Sequence, residues 1–514
     1  MGKNLNGDYM AFSFINSAVN WYFKRRMEDI EFFMRNPLEA QDRIFNQLLS
    51  SAQNTEWGKK YQYREIKDIY QYQQQVPVSA YEDLYPYIER MMKGEQNILW
   101  SSKITCFSKS SGTTNARSKF IPVSEEAFEE THYKTGKDML SIFVTKYPDT
   151  KMFSGKSLAI GGTYQENEQF KDSYYGDVSG LIMKNLPFWA EYLRSPSKEV
   201  ALMDEWEAKI ERLAEATIKE NITNLAGVPT WTLVLMERIL EMTGKKDISE
   251  VWPNLEVFFH GAVAFGPYRE SFKSLISNPK MRYVDVYNAS EGYFGIQDTD
   301  RHDELLLMLD NGIYYEFIPM EEWDNEHPKT VTLADVEIGK NYAMLISTNA
   351  GLWRYKIGDT VRFTSTDPYR IKISGRTKHF INAFGEEVVI ENAEMGITKA
   401  CQMTGALVKN FTAAPIYLEA GKKGGHEWVI EFDKDPSDFD LFCKVLDQTI
   451  QEVNSDYEAK RWKDIALLPP VVHHAPSGTF YNWMKGRGKL GGQNKVPRLA
   501  NHREYMDSLL ELLK

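Results

Sequence analysis

Between Ser157 and Ser374 short β-rich runs succeed one another in two different ways, and this change of pattern constrains the fold more than any other feature of the chain. The earlier runs are SLAIGG from Ser157, LEVFFHG from Leu255 and RYVDVY from Arg282. They alternate with helical stretches such as Trp231 to Met242, the signature of a largely parallel sheet with crossover helices. From Gly312 to Ser374 strand follows strand: GIYYEFIP, TVTLADV, YAMLIST, WRYKIGDTVRFTS and YRIKIS are separated by Gly, Asn and Asp turns, which reads as a β subdomain.

Apolar residues recur at mixed three and four spacing from Ala11 to Arg35 and again from Pro37 to Ala52, so the first hundred or so residues read as a helical cap. Beyond the basic turn at Arg376 the composition changes again. HEWVIEFD reads as a strand, Phe439 to Val453 as an amphipathic helix, and IALLPPVVHH as a broken strand ending at Pro476. The expectation is an α/β protein in two domains. A large N-terminal α/β domain over 1–378 carries the β subdomain and the helical cap, and a smaller C-terminal α+β domain spans 379–514.

A chain of 514 residues with 42% hydrophobic and 13% aromatic residues can bury more than one core. Its formal net charge of −11 argues against a general nucleic-acid or anionic-membrane surface while leaving room for a local basic pocket. Cys106, Cys401 and Cys443 are far apart and in no CxxC spacing, so neither a disulfide framework nor a zinc site is expected. The chain shows no apolar run long enough to span a membrane and no charged-then-apolar leader, and a soluble, cytoplasmic protein is expected.

Three motifs are set aside. Gly155-Lys156-Ser157 resembles the end of a Walker loop, but Thr150 stands where its first glycine should be. The fingerprint-like Gly486-Arg-Gly488-Lys-Leu-Gly491 has no room for a βαβ unit after it. His473-His474 would face opposite sides of a strand and lacks a third ligand at metal spacing.

The chemistry concentrates elsewhere. In FSKSSGTTNARSKFIP, from Phe107 to Pro122, the run Ser110-Ser111-Gly112-Thr113-Thr114 can turn backbone N–H groups and hydroxyls on one anion, with Arg117 and Lys119 beside it; alone it reads equally well as a surface turn. Tyr287-Asn-Ala-Ser290-Glu291-Gly292 places a ring, a hydroxyl and a carboxylate just past RYVDVY, in a loop where open α/β sheets bind ligands. Tyr287 suits a base, Ser290 a phosphate oxygen and Glu291 Mg²⁺. Tyr355-Lys-Ile-Gly358-Asp359 sets an acid suited to ribose hydroxyls after a glycine turn, Ser374-Gly375-Arg376-Thr-Lys378 is a basic turn, and Gly492-Gln-Asn-Lys495-Val-Pro497-Arg498 sets a lysine in a glycine-rich loop. Trp189, Trp231, Tyr133 and Phe265 are candidates for an apolar acyl pocket, each with core packing as its plainer role.

SSGTTNARSKFIP, YNASEG, YKIGD, GRTKHFIN and QNKVPR, in this order, resemble the plant auxin-responsive acyl-acid amido synthetases and their bacterial relatives, within the acyl-adenylate-forming enzymes. The resemblance implies an ATP- and Mg²⁺-dependent ligase that adenylates a carboxylic acid and transfers the acyl group to an amine, in that family an amino acid. It also implies roles: Ser110, Ser111, Thr113 and Thr114 on the β- and γ-phosphates with Gly112 in their loop, Ser290 near the α-phosphate, and Glu291 on Mg²⁺. By the same likeness Gly261 and Ala262 border adenine, Asp359 binds ribose with Arg376 beside it, and Lys378 and Lys495 lie near the nucleotide, Lys495 neutralising the α-phosphate. Asn115-Ala116-Arg117 replaces the plant Gly-Lys. The alternatives are an acyl-CoA synthetase, which differs only in the acceptor, and a nucleotide-binding protein without turnover. The acid, the amine and the oligomeric state are left open.

Overall fold

A computed structural model describes residues 23, 25–110, 119–186, 191, 193–203, 205–263, 265–302, 304–323, 325–376, 380–418, 423–464, 466–487 and 496–513. The expected helix from Ala11 to Arg35 falls partly outside this set; residues 25–35 are helical, and the next helix is Pro37–Ala52 with Pro37 in its first turn.

Parallel and antiparallel strands form one sheet. Its parallel half is β3 (Lys156–Ala159), β6 (Arg194–Ser195), β7 (Ile222–Gly227), β8 (Val257–His260) and β9 (Arg282–Ala289), and interleaved with it in sequence is a smaller sheet formed by β1 (Cys106–Ser110), β2 (Lys119–Val123), β4 (Tyr164–Glu166) and β5 (Tyr174–Gly176). The chain then turns back through β10 (Gly292–Ile296), β11 (Leu305–Leu307), β12 (Ile313–Pro319), β13 (Asn341–Thr348), β14 (Tyr355–Thr366) and β15 (Tyr369–Arg376). The order across the sheet is β6-β3-β7-β8-β9-β10-β11-β15-β14-β13-β12. The β subdomain is therefore joined edge to edge with the parallel half, because the short strand β11 pairs with β15 on one side and β10 on the other.

β8 reads VFFH with all four residues buried, as a strand covered on both faces requires, and the helices Trp206–Thr217, Pro229–Thr243 and Arg269–Leu275 contribute to its cover. The N-terminal helices pack on the antiparallel half and are tied to it by Arg354. This buried guanidinium donates to Glu316 at 3.0 and 2.9 Å and to the carbonyls of Gln73 and Val76 at 3.0 and 2.7 Å.

The C-terminal domain has a three-stranded sheet of β18 (Leu407–Ile416), β19 (Gly425–Lys434) and β20 (Val471–Ala475), preceded by the short pair β16 (Phe380–Ile381) and β17 (Val388–Val389). The helices Ile390–Thr404 and Phe439–Val453 contribute to its core, which also takes in Phe258, Phe265 and Phe272 of the large domain. Tyr268 donates to the carbonyl of Ala383 across that boundary. Among the described residues no helix is long and apolar enough to cross a membrane.

Candidate nucleotide and acyl site

A cavity of about 1150 Å³ opens where the parallel strands end, between the two domains. Its floor is the chain just beyond their carboxyl ends: Gly161 after β3, Val228 after β7, Gly261 and Ala262 after β8, and Ser290 and Glu291 after β9. Phe380, Asn382 and Phe384 of the C-terminal domain and the stretch Leu499 to His502 line it from the other side.

Close approach shapes the β8 end. A Cβ on Gly261 would stand 2.5 Å from the carbonyl oxygen of Val286, so only glycine lets these backbones run together, and Ala262 follows in the left-handed region at φ +69°. His260 is buried, stacked on Phe265 at 3.9 Å and 3.6 Å from an Asp285 carboxylate oxygen. Burial, helped by the nearby Arg269 charge, pushes its imidazole down to about 3, so it is neutral at physiological pH.

Two details differ from the sequence expectation. β9 continues through Ala289, pairing with Gly292 of β10, so Tyr287 lies in a strand and only Ser290 and Glu291 form the turn. Gly358-Asp359 is not a turn. Between the pairs Lys356–Leu345 and Thr360–Ala343, β14 carries three residues against one on β13; Gly358 at φ +95° forms this bulge. A second irregularity leaves Ser374 as the extra residue on β15, so Ser374-Gly375-Arg376 also belongs to a strand rather than a turn, with Arg376 directly opposite Asp359.

The bulge sets Asp359 and Tyr287 against each other. The Tyr287 hydroxyl donates to Asp359 Oδ2 at 2.6 Å, and both side chains are buried at the cavity edge. This bond, across 72 residues of sequence, has no local signal. At the opposite rim Ser110 pairs with Lys119, closing the β1–β2 hairpin, and the Lys119 ammonium stands 3.5 Å from the Tyr355 hydroxyl.

Ser110, Gly261, Ala262, Tyr287, Ser290, Glu291 and Asp359 therefore share one cavity. Ser111, Gly112, Thr113, Thr114, Asn115, Ala116 and Arg117 of the hairpin loop, Lys378, Lys495 and Trp189 lie outside the described residues, as does the side chain of Arg376. Trp231 lines the cavity, whereas Tyr133 donates to the carbonyl of Ile182 and Phe265 is spent on His260. Lys109, Lys372 and Lys460 also face the cavity and were not singled out from the sequence, where each reads as an ordinary surface lysine. Of the motifs set aside, Lys156 pairs with Glu220 at 2.8 Å, His473 with Glu427 at 2.7 Å and His474 with Asp435 at 3.1 Å, while Gly488 to Gly491 lie outside the described residues.

Comparison with known proteins adds a family. Models for the GH3 family N-terminal, central and C-terminal domains match residues 26–281, 306–376 and 391–504. The indole-3-acetic acid-amido synthetase GH3.3 of Arabidopsis thaliana is 25% identical, over 93% of this chain and 92% of its own. The 4-substituted benzoates-glutamate ligase GH3.12 of the same plant is 23% identical over 93% and 95%. Among solved structures, the GH3.15 acyl acid amido synthetase superposes with a TM-score of 0.60 at 17% identity, over 95% of this chain and 96% of its own. A 2-hydroxyisobutyryl-CoA ligase with bound acyl-AMP and CoA gives 0.57 at 13%, over 93% and 92%. With all three domain models matched in order along nearly its whole length, the chain belongs to the GH3 family.

Proposed function

We propose that the protein activates a carboxylic acid with ATP and passes the acyl group to the amine of an amino acid. The observation that carries this reading is the convergence of the Ser290-Glu291 turn, the Asp359–Tyr287 pair and the Gly261-Ala262 crossing on one cavity, in a GH3 chain. A carboxylate oxygen of the acid attacks the α-phosphorus of ATP and forms the new P–O bond as the bond to pyrophosphate breaks. The neutral amine nitrogen then attacks the acyl carbon, the C–O bond to AMP breaks with its electron pair staying on AMP, and the nitrogen loses one proton to solvent and keeps the other as the amide N–H. The acid is already an anion in the first step, so positioning and charge neutralisation matter more than a general base.

In this reading Ser110, Ser111, Thr113 and Thr114 hold the outer phosphates, with Gly112 in their loop. Ser290 meets the α-phosphate, Gly261 and Ala262 border adenine, Tyr287 holds Asp359 on the ribose, and Arg376 and Lys378 flank the nucleotide. The Glu291 carboxylate at the cavity floor fits Mg²⁺, which keeps waters and substrate phosphates as its other ligands, and Glu291 would hold it. Bound there, Mg²⁺ would neutralise charge on the departing pyrophosphate. Lys495 is assigned to the α-phosphate during adenylation, and the C-terminal domain, taken as 379–514 against 1–378, is assigned the movement that withdraws it for the amine, pivoting near Arg376 to Phe380. A cytoplasmic setting and the bacterial branch of the family belong to the same proposal.

The test begins with acids of the kinds named for the relatives, indole-3-acetate and substituted benzoates, in ATP–pyrophosphate exchange, followed by mass spectrometry of products formed with amino acids or with CoA. Exchange and an amide are expected. A thioester in place of the amide, or no exchange across a broad acid panel, overturns the reading. Lys495→Ala should depress exchange yet spare amide formation from a supplied acyl-adenylate; equal loss of both would tie the lysine to one fixed site.

A further inference from the structure

Lys460 is an enclosed cation on the cavity wall to which the nucleotide chemistry assigns no task. It sits on the helix Ser455–Arg461 of the C-terminal domain and is only 7% exposed. Its stem lies across Gly385, where an added Cβ would come within 3.7 Å of Nζ. Among the described residues Nζ makes no hydrogen bond, and the one carboxylate oxygen within reach, Asp456 Oδ1, is 3.9 Å away, too far for one. Nζ opens on the cavity with no side chain of the described residues hydrogen-bonded to it, so its N–H groups are placed to meet an anion that arrives there.

Carboxylates surround that anion position. Asp456 is half-buried one helical turn before Lys460, and Glu387 comes in from the loop after Gly385 with its backbone in the left-handed region at φ +38°. Asp177 faces them from the large domain, its carboxylate accepting from the backbone N–H of Thr163 at 2.8 Å. Burial raises the Asp456 carboxyl above its ordinary value; Lys460 opposes that rise, Glu387 and Asp177 add to it, and Lys109 opposes it.

We infer that Lys460, Asp456 and Glu387 form the acceptor subsite for an α-amino acid, Lys460 taking the α-carboxylate and the two acids the α-ammonium. Laid across the 3.9 Å gap, a zwitterion completes a square of alternating charges and supplies the bonds that Nζ lacks. Asp456, Glu387 and the facing Asp177 together repel the phosphates of CoA, so this corner favours an amine over that thiol. The inference rests on the amide-forming reading of the cavity and names where its second substrate binds.

Saturation-transfer NMR on the whole protein with AMP present tests it directly, using the common α-amino acids and their α-amides as probes. At least one α-amino acid should bind the parent while its α-amide does not. Lys460→Met should weaken that amino acid at least about tenfold, Lys460→Arg should restore most of the loss, and Asp456→Asn should weaken it independently of Lys460. Circular dichroism identifies any variant that fails to fold, and the arginine variant then carries the comparison. Equal binding of acid and amide, unchanged binding in Lys460→Met, or no α-amino acid bound by the parent would overturn the assignment. ATP–pyrophosphate exchange keeps the two readings apart: exchange without amino-acid binding sinks only the subsite, and amino-acid binding without exchange sinks only the adenylation.

Discussion

Replacing Tyr287 with phenylalanine removes one oxygen from the site and tests why β14 bulges. At 2.6 Å the hydroxyl is as close to Asp359 Oδ2 as a charge-assisted O–H···O⁻ bond allows. A hydrogen bond to a charged group contributes about 1.5–3 kcal/mol. With Tyr287 5% and Asp359 7% exposed, little water reaches the pair from the protein side, but Asp359 borders the cavity and recovers part of the loss there. A stability loss of about 1–1.5 kcal/mol is therefore expected, read as a lower urea midpoint at unchanged slope. If the lost bond leaves Asp359 poorly aimed at the ribose, ATP should bind about tenfold more weakly, equivalent to about 1.4 kcal/mol. The affinity for 2′,3′-dideoxy-ATP, which offers no hydroxyls, should hardly move. Calorimetry with both nucleotides separates the cases: equal weakening of the two means Asp359 does not bind the ribose, and unchanged ATP binding means the tyrosine does not position it.

Gly261→Ala should strain the β8–β9 crossing by about 1–3 kcal/mol and sharply weaken ATP, because the new methyl meets the Val286 carbonyl at 2.5 Å; a parental melting temperature and ATP affinity would refute the packing argument. Arg354→Met leaves the buried Glu316 carboxylate without its counter-charge, with only the bonds from Gln73 and Thr330, and should cost about 3–5 kcal/mol in urea unfolding, with Arg354→Met combined with Glu316→Leu recovering most of it; no recovery would mean that the lost bonds to the carbonyls of Gln73 and Val76 dominate. His260 and His132 are held by burial, to about 3 and about 4 from 6.5, so the unfolded chain binds more protons than the folded one as pH falls through 6.5. Stability should drop by about 2 kcal/mol per histidine between pH 7 and pH 5, with His260→Gln removing about half of the combined loss, and a flat profile would contradict the buried neutral state.

Local pattern was enough wherever one short stretch had only one way to bury its apolar side. The helices Pro37–Ala52 and Phe439–Val453 begin and end where periodicity and their flanking residues say they should, because their capping and amphipathic signals lie within the segments themselves. The shift from alternating to consecutive strands likewise announced the two halves of the sheet, and the serine, glycine and lysine motifs carried the family. Pattern could not say where strands stop when their last residues are Asn, Ala or Gly. β9 runs on through Ala289 because Gly292 of β10 pairs with it, and β14 runs on past the Gly358 bulge because Lys356 and Thr360 on either side are paired with β13. Nor could it join Tyr287 to Asp359 or seat Lys460 over Gly385, since those contacts depend on a bulge in one strand pair and on the packing of a helix against a loop 75 residues before it in the same domain. The residue types suited to the chemistry were thus legible in the chain, and their mutual distances were decided by tertiary pairing, which acts between segments that carry no local record of each other.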